Sequence, residues 1–191
     1  VGWCALSANT SGANNFATGY GALRANTSGC NNFAVGCQSL TQNTVGNNNT
    51  AIGYAALCHN ATGCNNFAVG YQALLNLPGG INNFAIGCTT LQNITTASNN
   101  IAIGAGALYS NATGNNNIAL GFGTLCTNCG NNNFAAGYCA LKVNTTGNNN
   151  FAVGLLALGS NTTGCSNFAV GYGALCANTI GTNNFAAGYQ A

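Results

Sequence analysis

The chain has 191 residues, no Asp or Glu, and only two Lys or Arg, Arg24 and Lys142, with His59 as its single imidazole. General acid and base catalysis needs a carboxylate or a histidine oriented by a partner, so neither an enzyme nor a cofactor is expected. Phosphate neutralisation needs clustered Lys and Arg, which excludes a nucleic-acid partner, and no apolar run approaches the roughly 20 residues of a membrane span.

The chain enters at Val1, in the third position of a 17-residue unit. The unit F-A-V-G-Y-x-A-L-x-x-N-T-T-G-x-N-N then starts at Phe16 and restarts at Phe33, Thr50, Phe67, Phe84, Ile101, Ile118, Phe134, Phe151, Phe168 and Phe185. A fixed period this short is the signature of a solenoid, whose units bury their apolar side only against their neighbours. The expected fold is all-β, a parallel β-solenoid or β-roll of about eleven 17-residue coils, with residues 1–191 forming one continuous array uncapped at both ends.

Within each coil, the alternation of N-F-A-V-G-Y predicts a strand and the stretch around A-L a second. N-T-T-G-x-N-N reads as a wide turn, because Asn and Gly tolerate left-handed backbone, and the Gly of A-V-G sits near a tighter corner. Recurrent Gly and Asn argue against a helix. Alternation places Phe, Val or Ile, and Tyr on one face, the expected core. Its aromatic row is Phe16, Phe33, Phe67, Phe84, Phe134, Phe151 and Phe168. With it goes the constant eighth residue: Leu23, Leu40, Leu57, Leu74, Leu91, Leu108, Leu125, Leu141, Leu158 and Leu175. Each stacked Phe or Leu is worth about 1.5 to 3 kcal/mol of burial. The opposite strip of Ala and Gly either faces outward, for close approach of another surface, or inward at a cramped corner. The repeated Asn suits turn chemistry and stacked amide ladders.

Eleven cysteines suggest an oxidising, extracellular setting with disulfides. Cys58 and Cys64 flank one turn, Cys165 and Cys176 occupy the same two repeat positions in consecutive units, and Cys126 and Cys129 lie within the one shortened unit, Ile118 to Asn133. N-x-S/T sequons at Asn9, Asn26, Asn48, Asn60, Asn93, Asn111, Asn144 and Asn161 are candidate glycosylation sites, and glycans are then partners on the turns. Cys58, His59 and Cys64 have zinc-binding chemistry but no fourth ligand at recognisable spacing, so no metal is expected. The G-x-G-A-L segments at Gly19, Gly104, Gly121 and Gly171 lack the third glycine and the helix of a dinucleotide site.

The N-N-F-A-V-G and N-N-N-I-A-L-G segments resemble the N-S-V-A-I-G motif in the heads of YadA-like trimeric autotransporter adhesins. The complete unit is similar to the N-T-A-I-G-Y-x-A-L repeats of bacterial, phage and large-virus surface and tail-fibre-like proteins. That resemblance runs the length of the chain and implies a parallel β-roll, often trimeric, displayed on a cell or virion for extension or attachment.

With almost no charge, the chain is expected to associate with itself. The expected function is an extracellular structural filament or surface fibre of stacked coils. A trimeric adhesin or tail-fibre segment is the first alternative. An ice-binding solenoid is the second, because turn residues such as Thr10, Thr27, Thr145 and Thr162 recur once per coil.

Overall fold

The computed structural model describes residues 2–191 and contains a β-solenoid with one short strand per coil. The strands are β1 (Phe16–Thr18), β2 (Phe33–Val35), β3 (Thr50–Ile52), β4 (Phe67–Val69), β5 (Phe84–Ile86), β6 (Ile101–Ile103), β7 (Ile118–Leu120), β8 (Phe134–Ala136), β9 (Phe151–Val153), β10 (Phe168–Val170) and β11 (Phe185–Ala187). All are parallel, and they form a single sheet in sequence order. Equivalent residues pair, as in Phe16 with Phe33 and Ala17 with Ala34. The short unit keeps this register, since Ile118 pairs with Phe134 and Ala119 with Ala135.

Two expectations are corrected. The A-L stretch is not a second strand: its Leu adopts left-handed backbone in every coil, with φ between 49° and 53° from Leu6 through Leu175. The position two residues earlier is also left-handed, even where it holds Gln38, Ala55 or Thr89. These residues make a corner where a second strand was expected, while the Asn of the wide turn is left-handed as expected, as at Asn31 and Asn48. Left-handed backbone costs a non-glycine residue about 1–2 kcal/mol. Full burial of the Leu side chain offsets that cost. Leu23, Leu40, Leu57, Leu74, Leu91, Leu108, Leu125, Leu141 and Leu158 are all fully buried, as expected of the core, whereas Leu175 is only partly so.

The second correction concerns the strand faces. Ala points inward, fully buried from Ala34 to Ala169, while the large residues point outward. Phe16 is 52% exposed, Phe33 and Phe168 are also exposed, and Phe67, Phe84, Phe134 and Phe151 are half-buried. The interior is too narrow for them. It is filled by Ala, Leu, Asn and backbone, and even a Cβ added at Gly29 or Gly147 would collide with an Asn amide and with the next coil's carbonyl. The expected Phe stacking does form, but on the outer surface, with ring centroids 4.7 Å apart for Phe67 and Phe84 and 4.9 Å for Phe151 and Phe168.

Candidate functional site

The polar groups of each coil meet those of the next. Backbone amides at four points of the coil donate forward, as in Phe33 to Asn49 (2.8 Å), Leu40 to Ala56 (3.0 Å), Gln42 to Cys58 (2.9 Å) and Thr44 to Ala61 (2.9 Å). Three others donate backward: Gly53 to Val35 (2.8 Å), Gln38 to Tyr20 (2.8 Å) and Asn48 to Cys30 (3.0 Å). Each face of a coil therefore carries both donors and acceptors. The Gly of A-V-G holds φ between 126° and 137°, and a Cβ there would meet the backbone of the next coil's Gly. Close stacking and unusual backbone both require glycine at this point.

Two inward rows of Asn reinforce the stack. In the row that closes each unit, Asn32 Oδ1 accepts the backbone N–H of Asn49 at 3.0 Å, and Asn32 Nδ2 donates to the Gly46 carbonyl of the next coil at 2.8 Å. In the turn row, Asn43 Nδ2 donates to Asn26 Oδ1 at 2.7 Å and to the Gly46 carbonyl at 3.0 Å. Gly46 thus gathers two amides on one oxygen. Such ladders satisfy buried polar groups that would otherwise carry a desolvation penalty of about 1–3 kcal/mol each.

This turn row contains most of the sequons. Asn26, Asn60, Asn111, Asn144 and Asn161 are fully buried, with their Nδ2 atoms engaged, so these sequon side chains point into the coil even where neighbouring turn residues such as Thr145 and Thr146 are exposed. Asn9 belongs to the same row and is exposed in the first coil, its Nδ2 on the Gly12 carbonyl at 2.9 Å. Asn93 is half-buried and accepts from Asn76 Nδ2 at 3.0 Å. Asn48 is exposed, on an outer row where its Nδ2 reaches Asn65 Oδ1 at 3.2 Å.

All eleven cysteines are free thiols in this structure, so the expected clips are not formed. The inward Asn60 and Gly63 separate Cys58 from Cys64. Cys58 lies in a row with Thr41 and Arg24, whereas Cys64 Sγ accepts from the Asn47 amide at 3.3 Å. Cys165 repeats the second arrangement with the Asn148 amide at 3.3 Å, while Cys176 is exposed in the first row. Cys129 replaces the Thr of its turn, donating from its backbone to the Thr145 carbonyl at 2.7 Å, and Cys126 lies half-buried beside Lys142 and Cys139. Burial pushes the Cys58 thiol up, opposed by a hydrogen bond with Thr41 and by the Arg24 charge. Burial likewise pushes Cys126 up; Lys142 opposes the rise and Cys139 adds to it. His59 Nδ1 lies 2.7 Å from Asn76 Oδ1, and among the described residues no three His, Cys, Asp or Glu side chains gather as a metal site.

The G-x-G segments are explained by the corner, since Gly21, Gly106, Gly123 and Gly173 occupy its left-handed position, with φ between 59° and 65°. The turn-row Asn is the structural element that the sequence reading missed as interior. Its signal was present: the only residues that replace it are Leu77 and Ile94, both fully buried. No protein-family model, curated protein or solved structure matches this chain.

Proposed function

We propose that the protein is structural, an extracellular filament or surface fibre formed by stacking β-coils, with further copies of the same coil as its partner. The observation that carries this reading is the self-complementarity of the coil. Each layer offers forward the amides, carbonyls and Asn side chains that it receives from behind, so any coil fits onto any other, within a chain or between chains. Extracellular display rests on the likeness of the repeat to surface and tail-fibre proteins, because the thiols supply no disulfide to support it.

Ice binding is the weaker reading. The Thr hydroxyls of the turn are turned along the axis, with Thr10 donating to Thr27, Thr27 to Thr44, Thr145 to Thr162 and Thr162 to Thr179, each to the carbonyl at 2.9–3.0 Å. Their protons are therefore not offered to a lattice. The adhesin or tail-fibre reading draws support from the apolar outer strip, which suits association of several chains. Electron microscopy of the purified protein separates these functions: the filament reading expects unbranched fibres with axial spacing of about 4.8 Å. Discrete rods ending in heads would overturn it.

A further inference from the structure

The large side chains on the outer face of the sheet are exposed or half-buried among the described residues. The three rows of this face run through Phe16, Thr18 and Tyr20 and recur in each coil, the third beginning one coil earlier at the exposed Trp3, and Thr18 and Thr50 are the only polar residues in the first two rows. Tyr20, Tyr54, Tyr71, Phe122, Tyr138 and Tyr172 are exposed by 43–56%. Eleven strands of three residues, about 4.8 Å apart along the axis and about 3.3 Å per residue across it, give a strip of roughly 50 by 10 Å, or about 500 Å², flanked by the Tyr20 row. That is as large as the largest apolar patches of about 300–600 Å² found on monomers, which are often functional, and two such strips face to face bury about 1,000 Å², the threshold of a specific interface.

We infer that this strip is covered by the same strip of a second copy of the chain, in a face-to-face pair of sheets. Three observations select that occupant. The rows repeat once per coil, so an identical solenoid presents side chains at the spacing needed to interdigitate along the full length. The strip carries no Lys, Arg, His or carboxylate, since Arg24, Lys142 and His59 lie on other rows, and no such charge repels its own copy or steers a charged partner. The rings also lie on one another along the axis, with centroids 4.7–5.4 Å apart and planes within 12°. Their faces are thereby covered and their edges left outward, which suits packing against an apolar sheet about 10 Å away rather than the flat ring platform that a sugar needs. The pairing is lateral and does not require axial stacking.

Mass per unit length, read from unstained particles in the electron microscope, counts chains in the cross-section whether the particles are long or short. The expected value is two chains of 19.0 kDa per eleven coils. Val69→Lys with Val153→Lys, at the centre of the strip, should halve it. So should Tyr71→Lys with Tyr138→Lys, at positions already half exposed, where the fold has least to lose. Unchanged hydrogen exchange at the buried Leu amides verifies folding. One chain per cross-section in the unmodified protein, three chains, or two chains retained in folded Lys variants would each overturn the pairing. Single chains that float with neutral phosphatidylcholine vesicles would do so as well, by assigning the strip to lipid.

Discussion

Leu77 occupies the place one coil beyond Asn60 in the turn row, and Asn60 Oδ1 is the one buried side-chain polar atom without a hydrogen-bond partner among the described residues. Elsewhere in the row the next Asn donates to this oxygen, as Asn60 itself does to Asn43 at 2.8 Å and Asn161 to Asn144 at 2.8 Å. Leu77 and Ile94 interrupt the ladder, and Ala97 stands in the latter coil where every other unit has Gly. The two changes are linked. A Cβ at Gly63, Gly114 or Gly147 would strike the Asn Oδ1 of its own turn, an atom that Ile94 lacks.

Ile94→Asn should therefore destabilise the solenoid by about 3 kcal/mol or more, combining lost burial with the Ala97 collision. Adding Ala97→Gly should recover about 1 kcal/mol or more, although Ala97→Gly alone gains nothing. A double-mutant cycle in denaturant reads the coupling. Additive effects would show that the pair is independent.

The left-handed Leu reverses an ordinary order of substitutions. Leu74→Ala removes a fully buried side chain and should cost about 2–5 kcal/mol. Leu74→Gly opens the same cavity but releases the strain of φ 53°, so it should equal Leu74→Ala or exceed it in stability by about 1 kcal/mol. In an ordinary strand glycine would be the worse residue. Unfolding midpoints of the two variants decide the matter, and a clear advantage for Ala would contradict this strain.

The coil was legible in the sequence because a fixed 17-residue period leaves few architectures, and the constant Leu identified half of the core. Which strand face turned inward was not legible, since alternation gives the same pattern for either side. Size suggested Phe, but the room inside the coil decides, and only Ala fits. Constancy within the chain was the better guide: Ala17 and its equivalents never change, whereas the Phe16 position also accepts Thr50 and Ile101, and the Tyr20 position accepts Cys37, Ala105 and Leu155. The turn Asn is not constant, but the only residues that replace it, Leu77 and Ile94, are large and apolar, which marks its place as interior. The first left-handed corner position carries no residue signature, because Gln38, Ala55 and Thr89 take it as readily as Gly21, and the second is held by a constant Leu, a residue that does not ordinarily mark left-handed backbone.

Stability should respond to alkali and hardly to acid. Burial raises the Cys58 and Cys126 thiols, so the folded state retains protons at a pH where unfolded thiols, ordinarily near about 8.5, have lost them. Their contribution is fully present below that range and declines as pH rises through it. Without Asp or Glu there is no side-chain carboxylate whose protonation could remove stability on acidification. Unfolding free energies at pH 3 and pH 7 should agree within about 1 kcal/mol, and Cys58→Ala with Cys126→Ala should flatten the alkaline slope. Acid unfolding near pH 4 would refute this expectation.

Glycans on the folded protein should map to Asn48 and not to Asn26, Asn60, Asn111, Asn144 or Asn161, whose Nδ2 atoms lie inside the coil. Glycopeptide mapping after expression in a secretory host reads each site. A sugar on Asn144 of protein that retains cooperative unfolding is incompatible with the buried ladder.

Helical reconstruction of the purified material at side-chain resolution most directly tests whether coil stacking is the working interaction. The expected density has layers about 4.8 Å apart, and its inward Leu and Asn rows pass from one molecule to the next without a change of register. Molecules that meet only side by side, with the rows ending inside each one, would contradict a fibre built by coil stacking.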